Sequence, residues 1–328
     1  MLFTTTFFSQ KSDFNHIDFS KADSIANQYH KASLKNLAIL TNKLTRGLNT
    51  DVEKFRAMYM YLWVSKNIKS DQNATHKILR KGKKLRNNRT AFITWNNTHK
   101  EKTLKKLFTQ KTTICTGYAF LLRELCRLAN IECKIINGYY KSHDFDKNKP
   151  FPNHSWNAVL LNNKWYLCDA TLASGYYFTN ENIFIFDYND GYFLTAPELF
   201  VQNHFPEDKK WILLPEPTLN FTEFVESPFV YSDTFKHRIA PIIPTELAFK
   251  TKTNTMVSFK LIVDEFDTIG KLTLVSSNGW KVSQNKLEDY QYTNCVLKFN
   301  HQFSKKGLYD FHITADNSPV VTYTIEVN

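Results

Sequence analysis

The sequence contains little glycine and proline, 9 and 10 of its 328 residues. This scarcity excludes a collagen-like chain and most low-complexity architectures. The sequence has no run of 18 or more apolar residues, so it predicts no membrane-spanning helix. It also has no repeat at the periods of solenoids or propellers. The remaining composition is that of a globular protein, 42% hydrophobic with 27 phenylalanines, and the length predicts about two domains.

Cysteine is also scarce, and its spacing excludes two common uses. The five cysteines are an odd number and form no C-x-x-C pair, so they predict neither a zinc site nor a dense disulfide framework. An acidic calcium-binding loop of the EF-hand type is absent as well. We therefore predict no metal ion and no cofactor.

Acidic residues are nearly missing from one stretch, residues 77–111. This segment carries 12 Lys and Arg residues but only one acid, Glu101, so it accounts for the net charge of +11 of the whole chain. No helix-turn-helix, zinc-finger or RNP pattern accompanies it, which does not favour nucleic-acid binding. The segment is either a solvated, partly helical insertion or a patch that attracts an acidic partner, an acidic substrate or an anionic surface. Gly82 and Asn87-Asn88 argue against one long helix.

The first residues leave two interpretations open. Residues 1–10 are apolar and end in small or polar side chains, but they have no positively charged start. They resemble the tail of a signal peptide, which favours a secreted or periplasmic protein. The alternative is an ordinary terminus of a cytoplasmic protein. We therefore treat residues 1–18 as a tail or signal-peptide remnant.

Helical periodicity follows this tail. Apolar residues recur every three or four positions through residues 19–48, and again through 52–68 on one broad face. The break at 49–51 offers an N-cap for the second helix. These helices open a domain that we place at residues 19–214, with residues 77–111 as a basic insertion.

The centre of this domain predicts an α+β arrangement. Residues 112–130 predict a helix that begins at or just before Cys115, with Thr112 and Thr113 as capping candidates. Three strands follow, over residues 132–140, 154–161 and 164–169, and Asn162-Asn163 joins the last two as a tight hairpin turn. A helix followed by such a meander is typical of a helix packed on an antiparallel sheet.

The composition changes after Pro215 and Pro217, which mark the predicted linker. Short alternating segments separated by turn residues predict strands and no long helix. They indicate a β-sandwich of immunoglobulin type over residues 215–328. The predicted strands are 246–252, 257–263, 271–276, 294–299, 307–314 and 320–327.

Three residues suited to thiol catalysis stand at the ends of these elements. Cys115 lies at a helix start, where unpaired N–H groups and the helix dipole lower the pKa of a thiol. His154 opens the first hairpin strand and Asp169 ends the second, so the turn brings them to the same end of the sheet. The carboxylate can orient the imidazole, and the helix can present the thiol to the other ring nitrogen. Each residue alone has a structural alternative, as a small buried thiol, a packed imidazole or a turn former.

The sequence around these residues resembles the transglutaminase-like superfamily. Cys115, His154 and Asp169 occupy the positions of the family's Cys, His and Asp. The matching strings are Cys115-Thr116-Gly117-Tyr118-Ala119, His154-Ser155-Trp156-Asn157 and Trp165-Tyr166-Leu167-Cys168-Asp169-Ala170-Thr171. The resemblance implies a papain- or transglutaminase-like core in which the Cys-bearing helix packs on an antiparallel sheet.

A narrower resemblance points to the kyphoscoliosis-peptidase branch of that superfamily. It spans roughly residues 50–214 and extends more weakly into the sandwich. Its marks are Gly138-Tyr139, Gly175, the run 192–198, the run His204-Phe205-Pro206-Glu207-Asp208 with Trp211, and the helical pattern 53–68. The basic insertion 77–111 is longer than the corresponding segment of the family, and it either shapes or covers access to Cys115.

The resemblance implies that the Cys115 thiolate attacks an amide carbonyl of a protein or peptide and forms a thioester. Water resolves this thioester in a cysteine peptidase or amidase, and an amine resolves it in a protein cross-linking acyltransferase. A third alternative is a catalytically silent scaffold that retains the fold. Trp156 and Tyr118 flank the reacting residues, and we expect them to bind substrate as walls of an acyl tunnel, or else to be core aromatics. For the oxyanion, helix-start geometry makes the backbone N–H of Cys115 one candidate donor. The sequence does not place the second donor, for which the alternatives are a side chain of the N-terminal helix or one near Trp95.

Overall fold

The computed structural model describes residues 13–64, 68–143, 145–148, 150–178, 183–214, 219–264, 266 and 269–328. The signal-like residues 1–10 and the linker prolines lie outside this set. None of the described helices combines the length and the apolar character needed to cross a bilayer.

The first part of the described chain contains the helices and a small sheet. Its helices are α1 (Ser20–Gln28), α2 (Leu37–Thr45), α3 (Asp51–Val64), α4 (Gln72–Leu85), α5 (Arg89–Gln110), α6 (Cys115–Leu128), α7 (Ala170–Ala173) and α8 (Pro197–Phe200). Its strands are β1 (Lys69–Ser70), β2 (Thr112–Thr113), β3 (Cys133–Tyr140), β4 (His154–Leu161), β5 (Lys164–Cys168), β6 (Gly175–Phe178), β7 (Ile183–Phe186) and β8 (His204–Pro206).

The helical pattern over residues 19–48 forms two helices rather than one. The chain turns between α1 and α2, and Asn36 caps α2 by accepting the N–H of Ile39 at 3.0 Å. The expected cap before α3 is Thr50, whose hydroxyl accepts the N–H of Glu53 while the Glu53 carboxylate accepts the N–H of Thr50. Helix α3 buries its broad aromatic face and lies at the centre of the main core.

The basic insertion folds as a helical hairpin made of α4 and α5. The break predicted at Asn87-Asn88 is present, and Asn88 caps α5 by accepting the N–H of Ala91 at 3.0 Å. Gly82 does not break α4. It is buried, and the Phe151 ring occupies the place where a β-carbon at this position would lie. Glycine here permits close packing instead of ending a helix.

The base of this hairpin is fixed to the core. Strands β1 and β2 flank it and pair in parallel, with Lys69 opposite Thr112. Asp71 caps α4 by accepting the N–H of Ala74 at 3.1 Å, and its other oxygen is paired with Lys106 of α5. One carboxylate therefore holds both helices of the insertion in place.

Helix α6 packs on a four-stranded antiparallel sheet in the order β5-β4-β3-β8. The predicted turn between β4 and β5 is present, and Asn162 and Asn163 have φ angles of 49° and 62°. Such angles at both central residues are those of a two-residue hairpin turn. The register pairs Asn157 with Cys168, so the start of β4 and the end of β5 lie at the same edge.

The C-terminal part is rich in strands, as expected, and forms two sheets. Its sheets have the orders β10-β12-β16-β15 and β11-β18-β17-β13-β14, with β9 also paired to β18. Their elements are α9 (Phe221–Glu226), β9 (Phe229–Val230), α10 (Ser232–Lys236), β10 (Ile239–Ile243), β11 (Ala248–Thr251), β12 (Met256–Val263), β13 (Leu272–Ser277), β14 (Val282–Lys286), β15 (Gln291–Thr293), β16 (Val296–Gln302), β17 (Gly307–Ala315) and β18 (Ser318–Val327).

The two sheets face each other across an aromatic core. Phe259 of β12 lies 5.1 Å from Phe311 and 5.4 Å from Tyr323, measured between ring centroids. All six predicted strands are present, whereas β9, β10, β14, β15 and the short helices α9 and α10 were not predicted. Lys141, at the end of β3, connects this part to the core because its buried ammonium donates to the carbonyls of Phe224, Ser227 and Pro228.

Candidate active site

Cys115 is the first residue of α6, as the sequence predicted. The residue before it, Ile114, gives the helix no side-chain cap. Thr112 and Thr113 were expected as caps, but this expectation is wrong, because they form β2 instead. The side chain of Thr113 lies against Gly117 where a β-carbon would stand, so this glycine lets the strand lie close to the helix start. The N–H of Gly117 is bonded to the carbonyl of Ile114 at 2.8 Å, so the donors that the helix start offers near the thiol are the N–H groups of Cys115 and Thr116.

His154 and Asp169 meet at the edge of the sheet. His154 is the first residue of β4, and Asp169 directly follows β5. The Nε2 atom of His154 lies 2.5 Å from Oδ2 of Asp169. The second oxygen, Oδ1, accepts the N–H groups of Thr171 at 2.7 Å and Leu172 at 3.0 Å, which makes Asp169 the cap of α7. These contacts fix the carboxylate, and with it the imidazole.

The thiol, the imidazole and the carboxylate are electrostatically coupled. Although burial disfavours the thiolate, the adjacent His154 and the N–H of Ser155 hold the pKa of Cys115 below its usual value. Burial also opposes the imidazolium, but the charges of Asp169 and Cys115 raise the pKa of His154 to about 10. Burial likewise opposes the Asp169 carboxylate, yet His154 and His204 hold its pKa far below the usual value. These directions favour a thiolate–imidazolium pair near neutral pH.

A second histidine, His204, also contacts Asp169 and was not predicted. Its Nε2 lies 3.0 Å from the same Oδ2 atom. The ring is buried, stacks on Phe200 at 3.9 Å, and meets Trp156 edge-on at 5.0 Å between centroids. Burial lowers the pKa of His204 to about 4, so the ring is neutral and donates its N–H to the carboxylate. The run 204–208 contributed to the family resemblance, but nothing in it assigned His204 a contact.

Among the described residues, His154, Asp169 and His204 form a group that could in principle hold a metal ion. Each offers one ligand atom, and these three atoms lie within 4.8 Å of one another. Both imidazoles, however, approach a single carboxylate oxygen at 2.5 and 3.0 Å. Two ligands of a tetrahedral zinc ion lie about 3.3 Å apart, given metal–ligand distances of about 2.0 Å. The distances in this group are those of hydrogen bonds, and we interpret it as a hydrogen-bonded cluster.

Tyr118 and Trp156, expected to bind substrate, are both buried. The Tyr118 hydroxyl donates to the carbonyl of Ile68 at 2.8 Å. Trp156 belongs to a cluster with Phe200 behind His154. This burial corrects the expectation that they wall an acyl tunnel and agrees with the alternative that they are core aromatics.

Cys115 opens into a cleft of about 310 Å³. One wall comes from α5, so the basic insertion shapes access to the thiol. Trp95 itself stacks on His99 at 4.8 Å between centroids, and the residues that follow it reach the cleft. The cleft is lined by Ile78, Arg89, Phe92, Ile93, Asn96, Asn97, Ile114, Cys115, Thr116, Asn137, Pro152, Asn153, His154, Ser155 and Glu207.

Comparison with known proteins agrees with this geometry. Residues 39–170 match the family model described as the transglutaminase-like superfamily. The chain is 32% identical to a protein named kyphoscoliosis peptidase from Homo sapiens, over 94% of this chain and 43% of that protein. It is 28% identical to the Lim and transglutaminase domain protein ltd-1 of Caenorhabditis elegans, over 68% of this chain and 29% of that protein.

The chain thus spans less than half the length of the curated relatives that it matches. The match to the human protein nonetheless extends beyond the cleft and its core into the strand-rich C-terminal part, because it covers 321 residues. The chain therefore belongs to the transglutaminase-like superfamily, in its kyphoscoliosis-peptidase-like branch.

Proposed function

We propose that this chain is a cysteine peptidase or amidase that acts on protein substrates through Cys115, His154 and Asp169. The observation that carries this proposal is the meeting of the three side chains at an open cleft, with the imidazole hydrogen-bonded to the carboxylate at 2.5 Å. Because Nε2 of His154 is engaged by Asp169, Nδ1 is the nitrogen available to the thiol. The arrangement has the order nucleophile, base and orienting group.

In the proposed reaction, the Cys115 thiolate attacks the carbonyl carbon of an amide. The developing oxyanion meets the N–H groups at the start of α6. His154 then gives its proton to the leaving amine as the C–N bond breaks, and a thioester on Cys115 remains. His154, now neutral, accepts a proton from water as the water oxygen attacks the thioester carbonyl. The C–S bond then breaks, which releases the acid and restores the Cys115 thiolate beside the His154 imidazolium.

Asp169 and His204 have positioning roles in this proposal. Asp169 keeps the proton of His154 on Nε2 and stabilises the imidazolium. His204 donates a second hydrogen bond to the same carboxylate oxygen. A buried carboxylate that accepts several hydrogen bonds remains ionised, so it retains its effect on His154.

The test compares two cysteines of the same chain. Cys115 and Cys295 are the part-exposed thiols, and the other three cysteines are buried. We expect iodoacetamide at about pH 6 to alkylate Cys115 and to leave Cys295 largely unmodified. Among the described contacts, Cys115 has an imidazole partner in His154 and Cys295 has none. Equal reactivity of the two thiols, measured by mass spectrometry of the labelled chain, would indicate a catalytically silent fold.

A second measurement separates hydrolysis from acyl transfer. Protein substrates that transfer an acyl group to Cys115 are incubated with the enzyme, with and without a primary amine. Release of free acid in both cases supports the peptidase or amidase, whereas incorporation of the amine supports a cross-linking acyltransferase. The variants Cys115→Ala and His154→Ala should abolish either product.

A further inference from the structure

A second and larger cavity, of about 570 Å³, adjoins the Cys115 cleft. Asn153 lines both cavities, and it directly precedes His154. One side of the larger cavity is formed by α4 through His76, Arg80 and Lys83. The other side is formed by Ser142, Phe145, Asp146, Pro150, Phe151 and Asn153. Asn153 therefore stands between the thiol cleft and this cavity.

The wall between the two cavities is built from fixed contacts. The Phe151 ring lies against Gly82 of α4 and meets Phe92 of α5 edge-on, at 6.4 Å between centroids. The Asn153 side chain accepts the N–H of Tyr140 at 2.7 Å and donates to the carbonyl of the same residue at 3.0 Å. Both cavities thus have a defined position relative to the reacting atoms.

The charges in the larger cavity are predominantly positive. Arg80 and Lys83 are exposed, and within the described part of the chain no carboxylate is paired with either. Elsewhere in the insertion, Arg89 is paired with Glu207 and Lys106 with Asp71. Of the residues that line the cavity, Asp146 is acidic, and its Oδ1 accepts the N–H of Asn148 at 3.2 Å.

We propose that this cavity is a substrate subsite that selects an acidic side chain of the peptide whose carbonyl lies at Cys115. Two unpaired cations on one helix attract a carboxylate, and the surplus of positive charge along residues 77–111 raises the local concentration of acidic chains. The proposal rests on the proposed function, because it assumes that Cys115 reacts with a peptide carbonyl.

The experiment uses peptides that carry an iodoacetyl group and one variable residue, Glu, Gln or Lys, at successive distances from that group. The second-order rate of Cys115 alkylation is measured for each peptide at low and at high ionic strength. At one distance we expect the Glu peptide to react about tenfold faster than the Gln peptide, since two partly exposed ion pairs contribute of this order. The Lys peptide should react more slowly than both, and salt should reduce the differences.

Two double variants on the same helix provide the matched comparison. Arg80→Glu with Lys83→Glu reverses both charges in the cavity. Lys77→Glu with Lys84→Glu makes the same change of net charge on exposed residues of α4 that do not line the cavity. The Glu preference should disappear in the first double variant and persist in the second.

Free iodoacetamide distinguishes the two levels of the proposal. If it alkylates Cys115 equally in all three proteins while no peptide shows a Glu preference, the acidic subsite is refuted and the proposed function stands. A preference that both double variants lose alike also refutes the subsite, because it then reflects only the overall charge. If iodoacetamide does not select Cys115 in the wild type, the proposed function fails and the subsite proposal fails with it.

Discussion

Asp169→Asn is the substitution that most directly tests the electrostatic coupling at the site. Asparagine can still cap α7, because its amide oxygen can accept the N–H groups of Thr171 and Leu172 as Oδ1 of Asp169 does. The oxygen that His154 and His204 share becomes an NH₂ group. Both imidazoles then face a donor, so their Nε2 atoms must accept a hydrogen bond from it. As a consequence, the proton of neutral His154 moves to Nδ1, beside the thiol. In that tautomer His154 cannot take the thiol proton.

The size of the effect follows from the pKa of His154, which is about 10 in the wild type against an ordinary value of 6.5. This difference corresponds to about 5 kcal/mol in favour of the imidazolium, to which the charges of Asp169 and Cys115 both contribute. Without the Asp169 charge, burial disfavours the imidazolium, and the thiolate loses its partner. We therefore expect the pKa of Cys115 to rise to its ordinary value of 9.0 or above.

The assay is the rate of Cys115 alkylation by iodoacetamide as a function of pH. At about pH 7, a thiol with a pKa of about 9 is only about 1% thiolate, although its thiolate is intrinsically more nucleophilic. The variant should therefore react at least about tenfold more slowly than the wild type at this pH, and its profile should rise steeply towards pH 9. Alkylation of Cys295 should not change. Superimposable Cys115 profiles would refute the proposed coupling.

The same substitution has a signature in stability. The raised pKa of His154 contributes stability that is fully present below about pH 6.5, the pKa of an unfolded histidine, and is lost as pH rises through about 10. The Cys115 thiol, whose lowered pKa means that it releases a proton on folding, opposes this effect, so the comparison is made in a Cys115→Ala background. There, the difference in the free energy of unfolding with and without Asp169→Asn should shrink as pH rises from about 6.5. Urea titrations at a series of pH values measure it, and a difference that grows with pH would contradict the assignment.

Three further substitutions test contacts outside the thiol itself. His204→Phe keeps an aromatic ring but removes the donor to Asp169. It should lower the free energy of unfolding, measured in urea, by about 2 kcal/mol and shift the Cys115 alkylation profile to higher pH. An unchanged profile would show that this contact is only structural. Lys141→Met removes the Lys141 donor from the buried carbonyls of Ser227 and Pro228, while the carbonyl of Phe224 keeps the Ser227 hydroxyl as a donor. It should cost about 3 kcal/mol in the same assay, with the alkylation profile unchanged. Gly82→Ala should lower the melting temperature through overlap with Phe151, although alanine is the better helix former by about 1 kcal/mol; a higher melting temperature would contradict the packing.

The sequence was sufficient to predict the edge at which His154 and Asp169 meet. The turn at Asn162-Asn163 is short, and a two-residue turn sets the register of the whole hairpin. Once the register is set, the first residue of one strand and the residue after the other lie together without any long-range information. The start of α6 at Cys115 is equally local, because a polar stretch gives way there to helical periodicity.

Contacts that depend on distant parts of the chain were not predictable in this way. His204 reaches Asp169 because β8 pairs with β3, with Tyr140 opposite His204. No local pattern around residue 204 specifies that β3 is the strand with which β8 pairs. For a related reason, the sequence left open whether Trp156 is a tunnel wall or a core aromatic. It lies two residues after His154 and so shares its face of β4, but Phe200 covers that face and buries the ring.

The basic insertion shows how a charge pattern acquires a chemical role only through tertiary structure. Twelve cations with one acid fit a solvated surface as well as a binding patch, and the sequence does not choose between them. The choice is made at the base of the hairpin, where β1 pairs with β2 and Asp71 holds both α4 and α5. This anchoring places Arg89 of α5 at the cleft and Arg80 of α4 at the adjoining cavity. Had the same residues formed a free helical arm, their charge would act on any anion nearby. Arg89 is paired with Glu207, so the positive charge left for a ligand is that of Arg80 and Lys83 at the adjoining cavity. An anion held there that also presents a carbonyl to Cys115 is what the proposed acidic subsite requires.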